Sequence, residues 1–420
     1  MKTGICIIGA GPAGLFAAIF AAQSGLRRAQ SSRAKTLIVE RNPSAARKLL
    51  RTGRTRCNLT HTGTVQDFLK AYGCSGRFLR HSLHEFSADD LRQYFAQHGL
   101  RTRVEKDGCV FPATDRATDV ARVLIEHAQK LSVLFLYGRR VYNIQKNTDR
   151  FTVTTDKDRI TASAVIIATG GVTWPFTGST GDGYKFARAL GHTIVEPKAA
   201  LCPLLTAETW PCNLQGVGIP DVAIKTKIAD HKISVRGPLM FTGNGIGGPA
   251  VFDLSRLITD YLPNYDNPLR VTIDLLPQYD SAHLDKEIIE TCSQHPKKTL
   301  TAVLSQFVPK SLAIDLCEHI NASQTILAAQ LQKNQRRQLV QSLKALPLSI
   351  VATAPIAEAT ITHGGVSTAE IDSKTMESKV CKGLYFAGEV MDVDGPCGGF
   401  NLQIAFSTAR LAALSAAKNI

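Results

Sequence analysis

The chain has 420 residues, with 49 lysines and arginines against 35 aspartates and glutamates, a formal net charge of +14. A charged fraction of 20% and a hydrophobic fraction of 44% exclude a disordered or fibrous protein, and the length predicts two or three domains. The ten cysteines include no CxxC pair and no zinc-type Cys/His spacing. They read as reduced thiols of a cytoplasmic protein without a metal, and they argue against a dithiol reductase.

The N-terminal stretch carries the strongest pattern. Ile5-Cys-Ile-Ile8 is an apolar run, as a buried parallel strand would be, and Gly9-Ala-Gly-Pro-Ala-Gly14 follows at once. Leu15 to Gln23 then reads as an Ala-rich helix. Gly9 permits a tight turn, Gly11 lets backbone approach a pyrophosphate, and Gly14 lets helix and strand pack closely. The helix N-terminus adds free N–H groups and a positive dipole end. Thr36-Leu-Ile-Val39 is the second strand, and it ends in Glu40, placed to accept from ribose hydroxyls. Ile5 to Gln23 also contains no formal charge, which suits a membrane span or signal peptide. Three glycines and a proline at fingerprint spacing argue against both.

Between helix and second strand lies a basic extension, Leu26 to Lys35. Arg47-Lys-Leu-Leu-Arg-Thr-Gly-Arg-Thr-Arg-Cys-Asn58 carries five basic residues in twelve. From Leu26 to Arg103 there are 16 basic and 5 acidic residues, +11 of the whole +14. Such asymmetry points to a polyanion, with nucleic acid first, and Arg47, Lys48, Arg51 and Arg54 are the candidate phosphate contacts. A merely solvated basic face is the competing reading. Phe68 to Gly99 reads as helix in two pieces, the second capped by Ser87. An extended segment over Gly108–Pro112 and a helix over Asp119–Leu131 follow.

Val133 to Thr155 alternates as strands, and Ala164-Val-Ile-Ile-Ala-Thr-Gly-Gly171 is a buried strand ending in glycines. Glu196 to Asp253 changes to short alternating segments with Pro and Gly between them, a β-rich insert. Gly243-Asn-Gly-Ile-Gly-Gly248 matches GxGxxG but lacks a surrounding βαβ unit, so it reads as a turn. Ser281 to Leu346 is helical, broken at Pro296 and Pro309. Near the C-terminus, Lys382-Gly-Leu-Tyr-Phe-Ala-Gly-Glu389 is a strand ending in Gly-Glu. Gly395-Pro-Cys-Gly-Gly-Phe-Asn-Leu-Gln403 then feeds a final Ala-rich helix. This second Gly-rich helix start offers N–H groups to an anion.

Gly9 to Gly14, Arg56-Cys-Asn58, Ala168 to Gly171, Thr362-His-Gly-Gly-Val366 and Gly388 to Gln403 together resemble the BaiN/RdsA family of FAD-dependent oxidoreductases, also described as aminoacetone-oxidase-like. The resemblance runs nearly end to end. It implies an α/β fold, a glutathione-reductase-like FAD-binding Rossmann domain with an inserted β-barrel subdomain and a small helical subdomain. The expected boundaries are 1–195 with 350–420 for the FAD domain, 196–275 for the β-rich insert and 276–349 for the helices. The FAD contacts implied are Gly9, Gly11, Ala13, Gly14, Glu40, Arg56, Asn58, Gly170, Gly388, Glu389, Asn401, Leu402 and Gln403. Two stretches depart from the family. Its Ser-Gly-Gly-Gly run before Arg-Cys-Asn reads Arg51-Thr-Gly-Arg-Thr55 here, and its Phe-Thr-His reads Phe241-Thr-Gly243.

The family's proposed chemistries are NAD(P)H-fed reduction of a carbon–carbon double bond in steroid-like acids, the same reduction of a ribosomal RNA uridine, and oxidation of a small amine. The basic 26–103 region favours RNA, because phosphate neutralisation supplies most non-specific affinity. A small-molecule substrate gives no reason for that charge. Cys57, His363 and Cys397 are the candidate proton donors, each in a glycine-bordered motif expected near the flavin. A non-catalytic FAD-containing RNA-binding factor is a further reading.

Overall fold

A computed structural model describes residues 1–27, 35–262, 268–323 and 325–420, so most of the basic Leu26–Lys35 extension lies outside the described residues. The chain begins with β1 (Lys2–Ile8), α1 (Pro12–Arg27) and β2 (Thr36–Val39). Next come β3 (Thr60–His61), α2 (Val65–Tyr72), α3 (Gly76–Glu85), α4 (Ala88–Gln97), β4 (Thr102–Val104), β5 (Cys109–Pro112) and α5 (Ala117–Lys130). The run β6 (Leu134–Leu136), β7 (Val141–Lys146), β8 (Phe151–Thr155), β9 (Arg159–Ile167), α6 (Asp182–Ala189) and β10 (Ile194–Ala200) completes this part. Helix occurs in three pieces before Gly99 rather than two, because Gly73–Ser75 forms a separate tight turn. Ser87 caps α4 as read from the sequence, in a reciprocal box with Asp90.

The main sheet has seven strands, in the order β6-β2-β1-β9-β8-β7, with a late strand also paired to β9. β1 lies parallel to β2 and β9, with Ile5 to Ile8 facing Thr36 to Val39 on one side and Ala164 to Ile167 on the other. Such a strand is covered on both faces, which is why its sequence is apolar without alternation. Leu15 to Ile19 in α1 are fully buried and small or aliphatic enough to lie between sheet and neighbouring helix. Phe16 is the exception in size, and it packs edge-on to Tyr94 at 4.9 Å and to Phe406 at 5.0 Å. Burial of that ring contributes about 2–3 kcal/mol.

Residues Ala199–Pro355 form a second unit. It contains β11 (Leu204–Thr206), α7 (Trp210–Asn213), β12 (Gly218–Ile228), β13 (His231–Thr242), β14 (Gly245–Gly247), α8 (Pro249–Ile258) and β15 (Leu269–Asp274). Then follow α9 (Ser281–Gln294), α10 (Leu300–Leu304), α11 (Lys310–His319), α12 (Lys333–Lys344) and β16 (Leu346–Thr353). Six strands close into a barrel, β11-β14-β13-β12-β15-β16. The Gly243–Gly248 repeat is the hairpin between β13 and β14 and the start of α8, where φ is +97° at the Gly248 cap. The boundary expected at 349/350 is corrected to 355/356. Leu346–Thr353 looks like the tail of the helical run but alternates in burial and pairs with both β15 and β11. The helices are thus an insertion between the last two barrel strands.

The chain returns to the first unit, Met1–Lys198 with Ile356–Ile420, through β17 (Ile361–Val366), β18 (Leu384–Phe386) and α13 (Phe400–Lys418). β18 extends the sheet beside β9, and α13 packs on α1. Both ends of the chain therefore build one layer around β1.

Candidate cofactor and active site

The three fingerprint glycines have different local causes. A Cβ on Gly9, whose φ is +101°, would lie 2.6 Å from the Ala168 carbonyl oxygen. A Cβ on Gly14 would lie 1.8 Å from the Gly9 carbonyl oxygen. Both glycines are demanded by the packing of this chain on itself. A Cβ on Gly11 meets nothing within 4 Å, and its φ is not left-handed. The protein gives no reason for glycine there, whereas a pyrophosphate on the start of α1 does.

Glu40, 8% exposed, lies at the end of β2. Its Oε2 accepts the Ala10 N–H at 2.8 Å, and its Oε1 accepts from the backbone and side-chain nitrogens of Asn42, each at 2.8 Å. The carboxylate is held rigidly by the turn. Each carboxylate oxygen offers about two acceptor sites, so Oε2 retains one for a ribose hydroxyl.

The C-terminal motif closes on the same turn. A Cβ on Gly388 would come 3.0 Å from the Ala13 methyl, and one on Gly170 would point at Ser179 and Glu389. Lys48 Nζ lies 2.7 Å and 2.9 Å from the two Glu389 oxygens and donates to Thr173 Oγ1 at 2.7 Å. The Thr362 N–H donates to Glu389 Oε1 at 2.9 Å. Glu389 is thereby a junction of four separate segments of the chain. Lys48 was expected to meet nucleic acid, and this is corrected: its ammonium is turned inward onto a carboxylate.

Gly399 caps α13 with φ +96°, and no side chain caps the helix and no acid lies in its first turn. The first-turn N–H groups remain to be satisfied by an acceptor, as the flavin pyrimidine edge would be. The side chains expected to join them are arranged otherwise. Asn401 binds Gly395 through both its amide atoms, at 2.9 Å each. Gln403 is fully buried, accepting from Thr60 Oγ1 and donating to the Phe86 carbonyl and Ser407. Leu402, half-buried, and backbone N–H groups are what α13 presents. A Cβ on Gly399 would lie 2.4 Å from the Thr60 carbonyl, so that glycine serves the fold in its own right.

Arg56 and Asn58 also work within the protein. The Arg56 guanidinium lies 4.0 Å over the Phe111 ring and 2.7 Å from Glu105. The Asn58 amide, oriented to satisfy both atoms, donates to the Thr60 and Val110 carbonyls. The three proton-donor candidates separate clearly. Cys57 is fully buried with φ +66°, and burial pushes its thiol up to about 12, against a smaller opposing effect from Thr52. A thiol so enclosed packs rather than exchanges protons. Cys397 is exposed on the loop before α13. His363, half-buried on β17, places Nδ1 2.5 Å from Asp394 Oδ2. Asp394 was not among the sequence candidates. It lies 31 positions away and its only local sign was the acidic Asp392-Val-Asp394 spacing.

On the surface, Arg47 donates to Asn42 Oδ1 at 2.9 Å, and Arg41 reaches Asp182. Arg51 and Arg54 are exposed and have no side-chain partner among the described residues. Arg77 and Arg80 on α3, which the sequence reading did not single out, are exposed and unpartnered in the same sense. Where the family run has glycines, Arg54 and Thr55 adopt φ of +55° and +70°. Among the described residues no helix is long and apolar enough to cross a membrane, and no three His, Cys, Asp or Glu side chains converge as metal ligands.

The family profile of the HI0933-like protein Rossmann domain matches residues 3–415. A 3-dehydro-bile acid delta(4,6)-reductase of Clostridium scindens is 32% identical, covering 99% of both chains. A ribosomal RNA dihydrouridine synthase of Escherichia coli is 30% identical over 96% of this chain and 95% of its own. Among solved structures, 3-ketosteroid delta1-dehydrogenase from Sterolibacterium denitrificans superposes with a TM-score of 0.53, covering 100% of each chain at 11% identity. That likeness concerns the fold. With the strand order and barrel, it shows a Rossmann-type architecture carrying a six-stranded barrel.

Proposed function

Because the chain belongs to the HI0933-like Rossmann family and is an FAD-dependent oxidoreductase, we propose that it saturates a ring carbon–carbon double bond, in a uridine of ribosomal RNA, using NAD(P)H as reductant. FAD, when bound, would supply hydride transfer to an electron-poor double bond. Gly11 and the start of α1 would hold its pyrophosphate, Glu40 its adenosine ribose, and the N-terminus of α13 its ring edge. His363 supplies the proton, at Nε2. Asp394 accepts from Nδ1 and fixes the imidazole tautomer and orientation, so that proton exchange with substrate falls to the other nitrogen.

Both relatives bear names of double-bond chemistry, and their identities, 32% and 30%, do not choose between substrates. What supports RNA is the set of exposed arginines that have no internal partners among the described residues, Arg51, Arg54, Arg77 and Arg80. A carboxylated steroid needs one cation, whereas an RNA backbone engages many. Nucleoside mass spectrometry of ribosomal RNA from cells with and without the protein tests this reading. Loss of one dihydrouridine in its absence is the expected result. Unchanged dihydrouridine would return the small acid substrate to first place.

A further inference from the structure

The loop that leads into α13 lies against β5 through a pair of cysteines that the proposed reaction leaves unused together. Cys397 is exposed, and its neighbour Gly398 sits so close to Cys109 that a Cβ there would lie 3.6 Å from the Cys109 sulfur. Consecutive Cα atoms are about 3.8 Å apart, so Cys397 begins one residue from contact with that sulfur. Gly398 has φ +117°, and the same Cβ would lie 3.4 Å from the His61 ring and 3.5 Å from Phe400. His61 in turn stacks on Phe400 at 4.9 Å and pairs with Cys109 across β3 and β5. The cysteine loop is therefore seated on a defined surface.

We propose that Cys109 and Cys397 are a redox couple, closing to an intramolecular disulfide when the protein meets a low-molecular-weight disulfide. In the first step the Cys397 thiolate attacks one sulfur of the small disulfide. A mixed disulfide forms and one small thiol leaves with the proton Cys397 has lost. Cys109 then gives up its proton, attacks the Cys397 sulfur and expels the second small thiol. The protein loses two electrons and two protons, and the small disulfide gains both.

The environment assigns the two roles. Cys397 is reachable from solvent, as the attacking thiol must be. Cys109 is half-buried, and burial above all, with the nearby Asp107 and Cys397 charges adding to it, pushes its thiol up to about 12. The closing step is then slow at neutral pH and quickens as pH rises. The bond would tie the entry to α13 onto β5, two residues before the Gly399 cap.

The test uses the full-length, FAD-loaded protein with oxidised glutathione, followed by thiol titration and non-reducing peptide mapping. The expected result is a transient glutathione adduct on Cys397 that resolves, faster at pH 9 than at pH 7, to a peptide pair joining Cys109 and Cys397. Cys109→Ser should leave the adduct unresolved, and Cys397→Ser should leave Cys109 unmodified. Retention of flavin absorbance and of an unchanged circular dichroism spectrum establishes that each variant is folded. A stable adduct on wild-type Cys397 with Cys109 still titratable overturns the proposal. So does cross-linking of Cys397 to exposed Cys74 instead.

Discussion

Lys48 Nζ meets both carboxylate oxygens of Glu389, at 2.7 Å and 2.9 Å, across 341 positions of sequence. The pair joins the loop after β2 to the turn after β18, the two ends of the chain that build the cofactor cradle. Both side chains are about one-fifth exposed, so the interaction is neither a solvated surface pair nor a fully dry one. Lys48→Met should remove the compensating charge and leave Glu389 facing Thr173 and the Thr362 N–H alone. We expect a loss of roughly 1–3 kcal/mol in urea unfolding, with weaker FAD retention. The salt dependence of RNA binding should not change, because this lysine does not reach solvent phosphates. A stable, flavin-replete variant with a flatter salt slope would place Lys48 in the RNA surface after all.

The glycines give a sharper contrast. Gly11→Val meets no protein atom near its Cβ, so the apo protein should unfold within about 0.5 kcal/mol of wild type. It should also purify without flavin absorbance, because the side chain enters the space reserved for phosphate. Gly14→Ala should do the reverse at the level of the fold, since its Cβ would lie 1.8 Å from the Gly9 carbonyl. A loss of several kcal/mol, or insoluble protein, is expected there. Stoichiometric FAD in Gly11→Val would refute the assignment of this turn.

Much of this was readable in advance because it is local. The strand–glycine–helix–strand–acid order, the Ser87 cap and the proline breaks at 296 and 309 each follow from a few neighbouring residues. What was not readable depends on long-range pairing. Asn401 and Gln403 sit in a motif that announces a ligand, yet their amides satisfy Gly395 and Phe86. Lys48 reads as one more cation until the fold brings Glu389 to it. Leu346–Thr353 becomes a barrel strand only because β15 and β11 wait on either side. Asp394 gained its meaning from His363, 31 residues earlier.

The loop at 53–57 is wound against the preference of its residues. Arg54 and Thr55 hold φ of +55° and +70°, and Thr55 is β-branched, for which this region is most costly. Replacing both with glycine should relieve that strain, while glycine's greater freedom in the unfolded chain returns part of the gain. A net stabilisation of about 1 kcal/mol is expected, seen as a higher midpoint in urea. No gain, or a loss, would mean that contacts of these side chains outweigh the backbone term.

Arg51 and Arg54 decide between RNA and a small substrate. If they meet phosphates, log affinity for structured RNA falls with log salt by about 0.7–0.9 per contact. The double variant Arg51→Ala with Arg54→Ala should flatten that slope by roughly one to two units and keep its FAD. Free uridine should be reduced poorly by either protein. Full retention of the slope, or wild-type binding no better than an equally basic control protein, would redirect attention to small substrates. Hydrogen peroxide release with small aminoketones would then be the next measurement.

His127 provides a test of stability against pH that is independent of the flavin. Its ring receives the Tyr94 hydroxyl at Nδ1 at 2.8 Å and lies 4.1 Å from the His98 ring. Burial, then the His98 and Lys130 charges, lower it from 6.5 to about 4. Between those two values the unfolded chain carries a proton on this histidine and the native protein does not. Stability therefore rises with pH across that window and is lost as pH falls from 6.5 towards 4. A fully buried group with that shift would contribute roughly 3 kcal/mol, and partial exposure reduces it to about 1–2 kcal/mol. His127→Phe keeps an aromatic ring against Tyr94 and His98 but removes the titration. It leaves the Tyr94 hydroxyl without its partner, a cost that is the same at both pH values. Urea unfolding at pH 7 and pH 4.5 should thus show a smaller acid loss in the variant than in wild type, by about 1–2 kcal/mol. Equal acid losses would mean that His127 takes up its proton in the native state as readily as in the unfolded one.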